Sequence, residues 1–200
     1  MKVAITGHTQ GLGKNLYEYF INRGDEVIGI SRTTGYDISK DIDKIVEISS
    51  HCDLFINNTY KENYQLEILK KIQNKVKNII VCGSTSRMYT EIITSEYAKH
   101  KQELAEACRL ISIKPKGPNV LHLDMSFIFN PEFDSQSDCD DTYYHTTDDV
   151  VKCVEFWLEN PKVREIEFTW KLTPSIYKKI KNLYGTESLI IKLIEEIKNI

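Results

Sequence analysis

Three closely spaced glycines near the N-terminus constrain this chain more than any other feature. Lys2–Thr6 (KVAIT) is a β-rich run, and Thr6-Gly7-His8-Thr9-Gln10-Gly11-Leu12-Gly13 follows it in the form TGxxxGxG. Residues 14–22 then carry Leu16, Phe20 and Ile21 on one side, as a helix would. After the Gly24-Asp25 turn, Glu26–Ile30 (EVIGI) reads as the next strand. Strand, glycine loop, helix and strand make a βαβ unit, whose parallel strands need a crossover helix. Gly7 permits a tight turn, Gly11 holds no side chain against an approaching pyrophosphate, and Gly13 lets helix and strand pack closely. The helix N-terminus offers free N–H groups and a positive dipole end to phosphate. Gly7, Thr9, Gln10, Gly11, Leu12 and Gly13 are therefore candidate contacts to a nucleotide.

The alternation continues along the chain. Residues 36–39 read as a very short third strand, and 40–50 as a helix with Ile42, Ile45, Val46 and Ser49 inward. Residues 53–57 (DLFIN) read as a strand and 63–76 as an amphipathic helix. Asn78–Cys82 (NIIVC) is apolar on both faces, as a central parallel strand should be. A long helix over 94–111, a strand at Asn119–Asp124, a helix over 148–158 and a last strand over 165–170 follow, and two helices close the chain. Neither an internal repeat nor a disordered linker interrupts the pattern. It predicts an α/β fold: a Rossmann-like, doubly wound parallel sheet in three α/β/α layers, as a single domain over residues 1–200. A chain of this length suits one core.

Charge and composition exclude several classes. The net charge of −3 argues against sequence-independent nucleic-acid binding, which normally uses a basic surface. No stretch approaches the roughly 20 apolar residues of a membrane helix. Nothing ahead of the first strand reads as a signal peptide, so none is expected. The five cysteines are odd in number and form no CxxC, so they read as reduced thiols in a cytoplasmic protein. Residues 134–141 (DSQSDCDD) lack the glycine and terminal glutamate of a calcium loop, so no metal is expected there. They read instead as a polar loop over a substrate cleft. His122 lies in an apolar strand and reads as a satisfied core residue. Trp157 and Trp170 read as core or rim.

Three further stretches accompany the glycine loop. Asn57-Asn58-Thr59-Tyr60 follows a strand, Ser84 ends the run NIIVCGS, and Tyr97-Ala98-Lys99-His100-Lys101 has the form YxxxK, with Ser84 13 residues before Tyr97. In this order and spacing, the set resembles the short-chain dehydrogenase/reductase family in its single-domain branch, whose elements are TGxxxGxG, NNAG, a serine and YxxxK. The run TTDDVVKCVEFWLEN is similar to the helix before the family's last strand, so the resemblance spans nearly the whole chain. It implies an NAD(P)(H)-dependent oxidoreductase that interconverts a carbonyl and an alcohol on a small molecule by hydride transfer. It also implies Ser84, Tyr97 and Lys101 as catalytic residues. Asn57, Asn58, Tyr97 and Lys101 are implied as cofactor contacts, and Asp37-Ile38 resembles the adenine-contacting pair.

Physical chemistry agrees with those roles. Tyr97 and Lys101 are four residues apart and share one helix face. An ammonium near a phenol favours the phenolate and lowers its pKa, making tyrosine a usable acid or base near neutral pH. Ser84 can hydrogen-bond the substrate oxygen, and Lys101 can reach a nicotinamide ribose. Ser31-Arg32 follows the second strand, where an acid would receive the ribose 2′-hydroxyl and an arginine accommodates a 2′-phosphate, with Thr33 and Thr34 able to help. NADP is therefore favoured over NAD.

The chain departs from the family in four ways. It is short, and no helix fits between Arg32 and the third strand. The helix over 63–76 is cut down, and Asn63 and Asn74 are the nearest candidates for the family's relay asparagine. Met125-Ser126-Phe127-Ile128-Phe129-Asn130-Pro131 stands where a Pro-Gly usually follows the strand. These departures keep two alternatives open. One is a nucleotide-binding regulatory or redox-sensing protein with little turnover. The other is an epimerase or dehydratase of the same superfamily, which usually needs a larger C-terminal substrate region. Family members commonly dimerise through the helices corresponding to 63–76 and 94–111. Here those helices carry Lys70, Lys71, Asn74 and Lys75, and Lys99, Gln102, Glu103 and Glu106, on their outer faces. Stable interface cores are poor in such charge, so a monomer, or a dimer through another surface, is expected.

Overall fold

β1 (Lys2–Thr6) and β2 (Glu26–Ile30) pair in parallel through α1 (Gly11–Asn22), which forms the βαβ unit. The computed structural model describes residues 1–90, 95–126, 128–129 and 145–168. After β2 the chain crosses to the other side of β1. There β3 (Leu54–Asn57), β4 (Asn78–Cys82), β5 (Asn119–Asp124) and β8 (Glu165–Glu167) extend the sheet, giving the parallel order β2-β1-β3-β4-β5-β8. β6 (Ile128–Phe129) and β7 (His145–Thr146) form a separate two-stranded parallel piece. The strand order reverses between β1 and β3, so a crevice opens beyond their carboxyl ends, where ligands of doubly wound sheets bind.

Two apolar layers hold the sheet. α1 and α5 (Thr147–Glu159) cover one face through Leu16, Phe20, Val150, Val154 and Trp157, packed on Val3, Ile5, Leu54, Ile56, Ile80 and Leu121. α2 (Ile42–Ser50), α3 (Tyr64–Ile72) and α4 (Glu96–Ser112) cover the other through Ile45, Val46, Leu69, Ile72, Leu104 and Cys108, packed on Ala4, Phe55, Ile79, Val81 and Val120. Each fully buried large side chain contributes about 1.5–3 kcal/mol. Trp157 belongs to the core, and its indole N–H donates to the Val163 carbonyl at 2.8 Å. Among the described residues no helix is long and apolar enough to cross a membrane.

The expected strand at 36–39 does not form. Arg32–Thr34 makes a short 3-10 turn, closed by Gly35 at φ 86° and by the Tyr36 N–H donating to the Ser31 carbonyl at 2.9 Å. Asp37 Oδ1 then takes both the Ser39 backbone N–H (2.9 Å) and its hydroxyl (2.7 Å). Such local side-chain bonds compete with a strand ladder, and here they win. β2 is consequently the sheet's first edge. α3 ends at Ile72 rather than 76, although Val76 still packs in the core. Trp170, Cys139, the acidic loop at 134–141 and the two closing helices lie outside the described residues.

Candidate functional site

The glycine loop follows β1 directly and lies at the crevice. Gly7 and Gly11 adopt φ of 72° and 51°, a left-handed backbone that favours glycine. A Cβ on Gly7 would lie 2.3 Å from Thr59 Oγ1, and one on Gly13 would lie 2.0 Å from the Gly7 carbonyl oxygen. The loop is held from behind by the segment after β3. The Asn58 side-chain amide donates to the Thr6 (3.2 Å) and Gly7 (3.4 Å) carbonyls. The Asn58 and Thr59 backbone N–H groups donate to Thr6 Oγ1 at 2.9 and 3.1 Å. The Gln10 side chain does not cap α1, and no acidic residue occupies its first turn. Among the described residues, no acidic side chain of its own occupies the positive end of this helix, with Thr9 and Gln10 exposed at its rim and Leu12 packed on the core. This cradle fits a pyrophosphate.

At the end of β2, the Ser31 hydroxyl lies 2.7 Å from that of Thr33. Thr34 Oγ1 is within 3.0 Å of both the Gly29 and Ser31 carbonyls, so its hydroxyl faces the backbone. Arg32 is exposed and makes no ion pair among the described residues. Asp37 is held down to about 2, first by the Ser39 hydrogen bonds and then by the Lys61 ammonium 3.5 Å away. Ile38 is buried in the core against α2.

The YxxxK residues begin α4. Ser95 caps the helix by accepting from the Ala98 N–H at 3.1 Å, which places Tyr97 in the first turn, 38% exposed, and Lys101 one turn below. Lys101 is only 3% exposed. Its ammonium donates to the Cys82 carbonyl at the end of β4 (2.9 Å) and to Gln65 Oε1 (2.8 Å). It lies 5.6 Å from the Tyr97 ring centroid and 5.2 Å from that of Tyr60. The two rings meet edge-on with centroids 4.6 Å apart, and the Tyr60 hydroxyl is 3.2 Å from His100 Nδ1. Burial pulls Lys101 down to about 8. Ser84 lies two residues beyond Cys82 and caps a short 3-10 turn. Its Oγ accepts from the Ser86 N–H (3.3 Å) and the Ser86 hydroxyl (3.0 Å). Both bonds use Ser84 as acceptor, so its own proton remains available to donate.

Asn57 is fully buried, and its amide donates to the Gln65 carbonyl at 2.8 Å, so it braces α3 rather than lining the crevice. Neither candidate relay asparagine contacts Lys101. Asn63 stands at the N-terminal boundary of α3 without a side-chain capping bond and donates to Glu103 at 3.4 Å, while Asn74 is exposed beyond the helix. The contact is made by Gln65, which sequence reasoning passed over. A signal was present, because Gln65 lies four residues before Leu69 and seven before Ile72, a lone amide on the apolar face of α3.

Arg87 was also missed. It follows Ser84 in the same turn, and its guanidinium donates to Asp124 Oδ2 and Glu165 Oε1, both at 2.6 Å. His122 is buried, and its Nδ1 lies 3.4 Å from Glu165 Oε1 without the geometry of a directed hydrogen bond. It is a core residue, as expected, but an electrostatic neighbour rather than a satisfied one. His122, Asp124 and Glu165 could together offer metal ligands, with their atoms within 4.8 Å of one another. The guanidinium of Arg87 already bridges the two carboxylates.

No family model matches the chain, and no curated protein sequence does. Solved structures do. A 3-ketoacyl-(acyl-carrier-protein) reductase from Brucella melitensis aligns over 83% of this chain and 96% of its own, with TM-score 0.65 and 16% identity. A bulky-bulky ketone specific alcohol dehydrogenase from Comamonas testosteroni aligns over 91% of each chain, with TM-score 0.67 and 11% identity. A UDP-N-acetylglucosamine 4-epimerase from Bacillus cereus aligns over 92% of this chain and 85% of its own, with TM-score 0.60 and 16% identity. With a parallel six-stranded sheet, helices on both faces and a glycine loop at the strand-order reversal, this chain has the short-chain dehydrogenase/reductase fold.

Proposed function

We propose that the chain is an NAD(P)(H)-dependent oxidoreductase that interconverts a carbonyl and an alcohol on a small molecule. The observation that carries this reading is the placement of Lys101. Its ammonium sits 5.6 Å from the Tyr97 ring centroid and is hydrogen-bonded to Cys82, two residues before Ser84 on the same segment. The glycine cradle supports a dinucleotide at the adjacent strand ends. Structural neighbours were crystallised with NADH and with NADPH.

A bound reduced nicotinamide supplies the hydride. In the reductive direction Ser84 donates a hydrogen bond to the substrate carbonyl oxygen. Tyr97 gives its phenolic proton to that oxygen as negative charge develops there, completing the alcohol. Lys101 stabilises the phenolate left behind and would take a ribose hydroxyl. Gly7, Gly11, Gly13 and the start of α1 would hold the pyrophosphate, and Arg32 would take a 2′-phosphate, which favours NADP. Asp37 would border the adenine together with the backbone at Ile38, whose side chain is buried in the core.

The test is nicotinamide absorbance followed across a panel of carbonyls and alcohols with each cofactor. Turnover of a panel member with NADPH supports the reading. Absence of both turnover and dinucleotide binding overturns it. A second reading, a dinucleotide-binding regulator with little turnover, is favoured by one observation: Lys101 is buried beneath Tyr60, which keeps it from ribose in this conformation. Firm NADPH binding without any turnover supports that second reading.

A further inference from the structure

We propose that Gln65 is the positioning residue of this site: its amide fixes Lys101 against the end of β4 and beneath Tyr60 and Tyr97 while leaving the ammonium charge unneutralised. The inference rests on the proposed function only in taking Lys101 as the residue that acts on Tyr97.

Every polar atom of the Gln65 amide is committed. Oε1 accepts from Lys101 at 2.8 Å, while Nε2 donates to the carbonyls of Asn57 (2.7 Å) and Cys82 (3.0 Å). Asn57 returns a bond from its own amide to the Gln65 carbonyl at 2.8 Å. Two carbonyls require the NH2 end and the ammonium requires the oxygen end, so the amide has one orientation. Gln65 is 2% exposed, and the group joins the ends of β3 and β4 to the first turn of α3 and the second turn of α4. Loss of either end would leave a buried donor or acceptor unpaired.

The charges around Lys101 explain why an amide, rather than a carboxylate, suits this place. The facing groups are Cys82 on β4, Cys108 on the same helix, Asp124 on β5, and the rings of Tyr60 and Tyr97, with His100 bonded to Tyr60. The Cys82 thiol is pushed up to about 12 by burial, and burial also raises Cys108, so both are neutral. Asp124 is bonded to Arg87. The hydrogen-bond partners of the ammonium are a side-chain amide and a backbone carbonyl, both uncharged. Its field therefore acts on the phenols, where a developing phenolate can use it. A carboxylate at position 65 would pair with the ammonium and cancel that field. Burial brings Lys101 to about 8, so a change at position 65 acts on its charge state near physiological pH.

The test follows the Nζ resonance of 15N-lysine-labelled protein through a pH titration, with Lys101→Met identifying the signal. Wild-type Lys101 is expected to titrate near 8. Gln65→Glu keeps the shape and adds a charge, and should raise the proton affinity of Lys101 roughly tenfold or more. Gln65→Met removes the acceptor without adding charge and should lower it. A role confined to packing would not drive the two variants in opposite directions. With an accepted substrate, Gln65→Glu should lower kcat more than it raises KM. Wild-type Lys101 titrating at the ordinary lysine value, or both variants shifting it the same way, overturns the proposal, and the first of these needs no variant to fold. The titration is read without cofactor. Opposite shifts in a protein that binds no dinucleotide uphold the role of Gln65 and sink the oxidoreductase reading instead.

Discussion

Arg87 donates to Asp124 from 2.6 Å, and this bond ties the turn that carries Ser84 to the end of β5. Asp124 is fully buried, the Arg87 side chain is 11% exposed, and the same guanidinium reaches Glu165 on β8. Removing one partner of a buried pair leaves the other charge uncompensated, at a cost of about 3–5 kcal/mol. Arg87→Met should therefore lower the unfolding free energy by that margin, read as a lower urea midpoint with the slope unchanged. The paired change Arg87→Met with Asp124→Leu should recover much of it, because the orphaned charge is gone. A single variant within about 0.5 kcal/mol of wild type would mean the clamp adds nothing.

Tyr60 covers Lys101, and its removal should make the site more accessible. The ring is 37% exposed, and it is held by the ammonium below, by the edge contact with Tyr97 and by the hydroxyl contact with His100. A ribose that reaches Lys101 has to displace it. Forfeiting an exposed cation–π contact and one hydrogen bond costs about 1–2 kcal/mol. Tyr60→Ala should thus bind dinucleotide about 5- to 30-fold more tightly in a fluorescence titration. Weaker binding would show that Tyr60 contacts the cofactor instead of excluding it.

What was legible in the sequence followed from periodicity and glycine. β1, β2, β4 and β5 were readable to the residue, because buried parallel strands are short apolar runs bounded by turns. The glycine loop was legible because few structures need that spacing. The strand at 36–39 was misread because the side chain of Asp37, two residues before Ser39, diverts the backbone, and hydrophobic pattern does not report such local bonds. Lys101 was legible through the YxxxK resemblance, but its burial was not, since that depends on Gln65 and Tyr60 arriving from other parts of the chain. The Arg87 clamp joins residues 37 and 78 positions apart, a distance over which no local pattern speaks.

Arg32 should discriminate between the two cofactors. It is exposed at the end of β2 with no ion pair among the described residues, leaving the guanidinium free for a 2′-phosphate. Charge-assisted bonds of this kind are worth roughly 1.5–3 kcal/mol. Arg32→Ala should weaken NADPH by one to two factors of about ten and leave NADH nearly unchanged. Equal losses for both, or a wild-type preference for NADH, would defeat the NADP assignment.

The chemistry itself separates the roles of three side chains. Tyr97→Phe removes one hydroxyl from an exposed ring and retains the contact with Tyr60, so folding and cofactor affinity should persist while kcat falls by about 10²–10⁴. Ser84→Ala removes the donor proposed for the substrate oxygen. It also leaves the Ser86 N–H and hydroxyl without their acceptor, so turnover should drop with a small loss of stability. Lys101→Met should reduce turnover and cofactor affinity together, because in the proposed reaction one ammonium serves both the phenol and the ribose. The three variants are compared in one assay with binding measured separately by fluorescence. A folded Tyr97→Phe protein that turns over at the wild-type rate would remove Tyr97 as the acid. With Lys101 nearer to the Tyr60 ring, at 5.2 Å, than to that of Tyr97, at 5.6 Å, Tyr60→Phe is the next variant to measure.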